Sequence, residues 1–328
     1  MSVVLEVGTP PGVLTLNRAN ALAVEEVAAT LLDVADGQVD SPLWAATARE
    51  RALELPIALR RALSAYRRDS GVTGAFLIRG LPVDESLVPA TPQRSGSVQR
   101  EATIPAAVLM MVTHLLGDVI AFRPEKSGAL VHDVVPVPGS EEFQGNEGSV
   151  LLSFHTENAF HANRPDFVLL QCLRADHDRE AGLRTAGIRQ VLDLLSETSR
   201  EVLFRREFVT APPPSFGLPA GETEPHAVLS GAPEDPSLLI DFAATTPLTD
   251  AARAAARELQ HLFAEHALTH YLVPGDLAIV DNHVTVHGRT GFTPRYDGAD
   301  RWLQRTFAAK DLRRSRQHRI GDGHVLFG

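Results

Sequence analysis

Near the middle of the chain, His155 and Glu157 stand two residues apart, behind a short apolar run of Val150, Leu151 and Leu152. That run reads as a strand. Strand side chains alternate faces, so the imidazole and the carboxylate would point the same way. Together they offer two ligands for a divalent metal, and a third has to come from elsewhere. His287, closing a second strand-like run over 281–290, is one option; His283 is two alternations away and competes with it on spacing alone. Two histidines and one carboxylate leave three positions of the ion open, as in non-haem Fe(II) oxygenases. The same ligand set can also serve a zinc hydrolase. A His-x-Glu pair on its own is commonly an ordinary surface pair, so its meaning depends on its surroundings.

A second constellation follows the distal histidine. Arg301 and Arg305 lie in a strand-like stretch, where Arg301, Leu303 and Arg305 would share one face and Trp302, Gln304 and Thr306 the other. Two guanidinium groups on one face of a core strand need anionic partners. Solvent, Asp297 and Asp300 would satisfy them in the bland case. In the sharper case they clamp carboxylates, which the planar arginine fork does well. Many Fe(II) oxygenases use 2-oxoglutarate, whose far carboxylate needs a basic anchor near the iron. A non-catalytic binding protein would leave Arg301 without a purpose.

The elements that would position these groups are short. Residues 13–16 suggest an edge strand, 21–35 a helix, and 41–68 a helical zone interrupted at Pro56. A strand is expected over 74–79, an apolar helix over 104–116 ended by Gly117 as a C′ residue, and a strand from 120 to Pro124. The glycine- and proline-rich segment 132–149 runs into the metal strand and can wall a pocket. Further strands are expected over 167–173, 238–242, 277–280 and 302–308, with helices over 188–206 and 249–271. The proline-rich segment 208–226 is a candidate lid. Residues 310–328 read as a basic surface tail. Many short strands separated by turns suggest antiparallel sheets in a sandwich or barrel. Neither a repeat nor a composition break divides the chain, so one domain over 1–328 is expected: a helical part to about 117, a β core over about 118–309, then the tail.

Composition narrows the partners. The chain has 328 residues, 44% of them hydrophobic and 22% charged, and a net charge of −10, which disfavours nucleic acid and anionic membranes. The single cysteine, Cys172, reads as a buried thiol and rules out an internal disulfide. Neither a secretory signal nor a membrane span is legible, which points to the cytoplasm. No glycine-rich dinucleotide fingerprint is present.

The segments HTENAF (155–160), RPDFVLLQCLR (164–174), HGRT (287–290), FTPRYDG (292–298) and DRWLQR (300–305) together resemble the clavaminate synthase-like oxygenases. The likeness is close over the middle and C-terminal half and holds in outline over the N-terminal helices. It implies a mainly β fold with surrounding helices, built on a double-stranded β-helix (jelly-roll) core. It implies Fe(II), with 2-oxoglutarate and O2 as co-substrates, and makes His155, Glu157 and His287 the iron ligands. It makes Arg301 the anchor for the far carboxylate of 2-oxoglutarate. Arg305 becomes a substrate-side residue, and Glu125, Asn146 and Asp241, with Gln144 beside them, become substrate contacts. The implied reaction is hydroxylation of the β-carbon of a free amino acid. L-asparagine, for a nonribosomal peptide antibiotic pathway, is the first expectation, and arginine or lysine the alternatives. Histidines 132, 161, 177 and 270 are expected to be solvated or capping residues.

Overall fold

Alternation of apolar side chains along the strands builds two sheets with their inner faces toward each other. The computed structural model describes residues 12–216 and 224–327. The larger sheet runs in the order β1 (Val13–Thr15), β2 (Ala75–Arg79), β13 (Leu277–Asp281), β6 (Phe167–Arg174), β15 (Trp302–Ala309), β3 (Asp118–Phe122) and β16 (Val325–Leu326), with β4 (His132–Val134) also paired to β15. The smaller sheet runs β12 (Leu268–His270), β7 (Leu183–Gly187), β14 (Thr285–Arg289) and β5 (Leu152–His155). Two ribbons, β9 (Leu229–Ala232) with β10 (Asp235–Leu238) and β8 (Phe208–Thr210) with β11 (Thr245–Pro247), complete the strands.

Burial follows the alternation. On β6, Phe167 and Leu169 face a layer of helices that includes Ile104–Leu116, while Val168, Leu170 and Cys172 face inward. On β14, Val286 faces the outer helix Asp250–His266 through Leu259 and Phe263. Thr285, His287 and Arg289 therefore point the other way. Helices cover both outer faces, and the space between the sheets is left for inward side chains of β5, β14 and β15. Two facing sheets with helices on their outer faces make a double-stranded β-helix, as expected.

Several expected elements differ in detail, each for a local reason. The helix expected over 188–206 is three short pieces, because Ser196 accepts the N–H of Ser199 and starts a new helix at Glu197. The 249–271 helix ends at His266, and β12 takes over to pair with β7. Gly117 has φ 173°, an extended conformation rather than the left-handed one of a C′ glycine. Glycine is needed there because a Cβ would lie 2.3 Å from the Ala309 carbonyl oxygen. The C-terminal residues are docked rather than a free surface tail: β16 pairs with β3 and Leu326 is fully buried. Part of the candidate lid, 217–223, lies outside the described residues.

Candidate active site

His155 and His287 are direct partners across the β5–β14 ladder, which brings their rings to 4.4 Å between centroids. Strand β5 ends at His155, so Glu157 is not held on the same strand, contrary to the simple alternation picture. It lies in the turn that follows, yet its carboxylate still reaches the pair, with Oε2 at 3.5 Å from His287 Nε2. One ligand atom from each of the three residues lies within 4.8 Å of the other two. His283, the rival on spacing, points elsewhere: its Nε2 meets Asp166 at 2.6 Å and its Nδ1 faces Arg164 at 3.1 Å.

The protonation states suit a cation. Ser153's carbonyl, 2.9 Å from His155 Nδ1, can only accept, so Nδ1 carries the proton and Nε2 offers its lone pair. Burial, then the neighbouring His155, pushes the His287 pKa below the ordinary value against the pull of Glu157, so the ring is neutral. Burial alone would raise the Glu157 pKa, but Arg305, then His287 and His155, hold it well below the usual carboxylate range. Glu157 Oε2 is buried without a hydrogen-bond donor among the described residues. A buried, ionised oxygen left unpaired beside two imidazoles is what a metal-ligand set looks like without its ion. A second cluster, His177, Asp297 and Asp300, is also compact, but Asp300 already accepts the N–H groups of Arg295 and Tyr296 at 2.7 and 2.6 Å.

Arg305 organises the other wall. It projects inward from β15 and is nearly fully buried. It donates to Glu157 Oε1 at 3.1 Å, to Glu125 in a short ion pair, and to His132 Nδ1 at 3.0 Å. Turned with its oxygen inward, the Asn146 amide accepts from both terminal nitrogens of Arg305 at 3.0 and 3.2 Å. His132 is therefore neither solvated nor a cap. Its Nδ1 accepts from Arg305, so its proton sits on Nε2, 3.0 Å from the Ala129 carbonyl. Nothing in local sequence marked it, because its charged partner Arg305 is remote in the chain.

Glu125, Gln144, Asn146, Asp241 and Arg305 line one cavity of about 720 Å³ together with His155 and Glu157. The glycine-containing loop before β5 does form one wall, and Phe160 and Phe216 close the far side. Gln144 is occupied locally: its amide donates to the Leu151 carbonyl at 2.9 Å and accepts the Ser153 N–H at 3.2 Å, which braces the start of β5. Asp241 is not inside a strand. It forms an isolated bridge with His155 and then turns, its Oδ1 accepting the N–H groups of Ala243 and Ala244 at 2.8 and 3.2 Å.

Arg301 stands apart from that cavity's lining. It is buried and makes no hydrogen bond or ion pair with another described residue, so neither Asp297 nor Asp300 satisfies it. Burial pushes its pKa down to about 10, with Cys172 and Asp176 opposing. Nearby Arg289, inward on β14 two residues after His287, is pushed down to about 9 by burial and then by Arg301's charge. Two buried cations in each other's field call for an anion. Arg289 was visible in HGRT but had no assigned purpose. Burial pushes the Cys172 thiol up to about 12, which fits an inert core thiol.

Comparison with known proteins agrees with this geometry. The family "Taurine catabolism dioxygenase TauD, TfdA family" matches residues 41–307. L-asparagine oxygenase of Streptomyces coelicolor is 58% identical over 95% of this chain and 94% of its own. Clavaminate synthase 2 of Streptomyces clavuligerus is 35% identical over 80% of this chain and 82% of its own. A solved structure of asparagine oxygenase with Fe(II), 2S,3S-3-hydroxyasparagine and succinate is 57% identical, covers 97% of this chain and 100% of that one, and has a TM-score of 0.95. A buried histidine–carboxylate–histidine cluster between the two sheets of a double-stranded β-helix, and matches of this length, make the chain a member of the TauD/TfdA dioxygenase family.

Proposed function

We propose that this protein hydroxylates the β-carbon of free L-asparagine, consuming O2 and 2-oxoglutarate and releasing 3-hydroxyasparagine, succinate and CO2. His155, Glu157 and His287 would ligate Fe(II). The single observation that carries the reading is the convergence of Glu125, Asn146, Asp241 and Arg305 on the cavity that contains His155 and Glu157, in a chain 58% identical to an L-asparagine oxygenase. The setting would be a cytoplasmic nonribosomal peptide pathway. Among the described residues, no helix is long and apolar enough to cross a membrane.

When bound, Fe(II) supplies the O2 activation that protein side chains cannot, with 2-oxoglutarate as reductant. The chain's own part is binding, orientation and exclusion of water. Arg301 anchors the far carboxylate of 2-oxoglutarate, and Arg289 adds positive potential beside it. Arg305 faces the substrate α-carboxylate, and Glu125 accepts from the α-ammonium group. Asp241 offers its second carboxylate oxygen to the carboxamide NH2, because its first is held by the turn. Fixing both ends of so small a substrate leaves its β-carbon as the position presented to the metal triad.

The test is a turnover mixture of metal-loaded enzyme, 2-oxoglutarate and each proteinogenic amino acid in turn. Succinate should form with asparagine, and mass spectrometry should show asparagine gaining one oxygen. Succinate formation driven by arginine or lysine instead would replace the substrate assignment. Zinc dependence without 2-oxoglutarate consumption would replace the enzyme class.

A further inference from the structure

Glu157 is the one member of the triad that no sheet ladder holds. His155 and His287 are locked opposite each other by β5 and β14. Glu157 lies past the end of β5, in a turn, and its peptide is held by a single side chain from the β13–β14 hairpin. The Glu157 N–H donates to Asn282 Oδ1 at 2.7 Å. Asn282 Nδ2 donates back to the Glu157 carbonyl at 3.0 Å and to the Pro165 carbonyl at 2.9 Å. The amide orientation follows from its partners, because an N–H cannot accept and a carbonyl cannot donate. Asn282 is fully buried, and its own N–H donates to the Asp166 carbonyl at 2.9 Å. The strand leaving this hairpin carries His287.

We infer that Asn282 is a positioning residue of the metal centre: it grips both peptide groups of Glu157, so that the carboxylate is presented to the His155–His287 pair. The residue type is demanding. Aspartate matches the shape but has no N–H for the two carbonyls. Alanine makes none of the three bonds. Serine is too short to span a donor on one side and two acceptors on the other. Arg305 fixes one carboxylate oxygen from the side-chain end, and Asn282 fixes the backbone from which that side chain departs. The inference rests on the iron-ligand assignment proposed above.

The experiment reads metal affinity rather than turnover. Metal-free wild type, Asn282→Ala, His287→Ala and Thr285→Val are titrated with Co(II), followed by visible absorption, and their unfolding in chelator is measured. Thr285, in the same hairpin, makes a part-buried bond to the Thr73 carbonyl at 2.9 Å, so its variant controls for loosening. Asn282→Ala should weaken Co(II) binding about 10- to 100-fold, the usual effect of losing a partner of a ligand. Thr285→Val should lose stability but bind Co(II) as wild type does. Wild-type affinity in folded Asn282→Ala overturns the inference, as does an equal loss in Thr285→Val. Unchanged binding in His287→Ala would instead sink the ligand assignment beneath it. Should Asn282→Ala not fold, Asn282→Asp is titrated with the same two outcomes. If neither folds, amide exchange in metal-free wild type decides: the Glu157 N–H must be protected, and free exchange overturns the inference.

Discussion

Replacing Arg305 with glutamine removes the one cation that Glu125 and Glu157 share in metal-free protein. The guanidinium lies 3.1 Å from Glu157 and in a closer pair with Glu125, with Glu157 buried and Glu125 mostly so. At that separation and an effective dielectric of about 20, Coulomb's law gives roughly 5 kcal/mol of gross attraction for the Glu157 pair. Deleting one partner of a buried pair costs about 3–5 kcal/mol net, because the other charge is left without compensation. The pH dependence separates this from a packing defect. In wild type, burial opposes ionisation of both glutamates, but Arg305, with the neighbouring histidines, outweighs it and holds their pKa values below the ordinary value of 4.5. Their contribution to stability is therefore present above the unfolded pKa and lost as pH falls through the folded one. In Arg305→Gln the largest charge opposing burial is gone, leaving only His132 at Glu125 and His287 and His155 at Glu157, so the folded pKa values should rise past 4.5. Variant stability then falls as pH rises through those raised values. The gap between the two proteins should be widest near neutral pH and narrow in mild acid, as the variant's carboxylates become neutral. Urea unfolding in chelator, from about pH 5 to about pH 8, measures it. A gap independent of pH, or one under about 1 kcal/mol at neutral pH as for an exposed pair, would refute the reasoning.

Three further outcomes are expected. Arg301→Ala should raise the KM for 2-oxoglutarate on the order of 100-fold while Co(II) affinity holds, since an anionic group loses its buried partner at a cost of several kcal/mol; an unchanged KM would make Arg301 purely structural. Asp241→Asn keeps an oxygen for the Ala243 and Ala244 N–H groups and turns an NH2 toward the cavity, so kcat/KM for asparagine should fall on the order of 10- to 100-fold while aspartate turnover rises. Competition between the two amino acids checks this, and wild-type preference in the variant would remove Asp241 from side-chain recognition. His287→Ala should abolish Co(II) binding while His283→Ala leaves it intact, because His283 is committed to Asp166 and Arg164; the reverse pattern would exchange their roles.

Groups whose geometry depends on local chain direction were legible in the sequence. Alternation on β15 put Leu303 and Arg305 on one inward face, while Arg301 stands just before the strand, and the apolar run 277–280 emerged as β13. His287 was separated from His283 only by the family pattern; the structure adds the physical reason, a turn that aims His283 at Asp166. Local pattern failed wherever a remote partner takes over the backbone. The strand expected at 238–242 stops at Leu238, since the Ile240 carbonyl turns to receive the Thr156 N–H at 2.8 Å and Asp241 bridges His155. His132 looked like any loop histidine because Arg305, which donates to it, comes from a distant strand.

Glu157 joins the two cases. The convergence was inferred from a wrong local picture: His155 and Glu157 do come together, but no shared strand makes them do so. The β5 ladder supplies direction as far as His155. Beyond it, Asn282 holds the Glu157 peptide from the hairpin and Arg305 holds one carboxylate oxygen from β15, leaving the other oxygen beside His287. Two separated elements thus converge on one carboxylate. A buried ionised group with two oxygens and one cationic partner has a single oxygen left to satisfy, and here that oxygen lies beside the two imidazoles. That geometry favours a cation at the triad over any uncharged occupant, because a neutral guest would leave the charge uncompensated in a poorly solvated site.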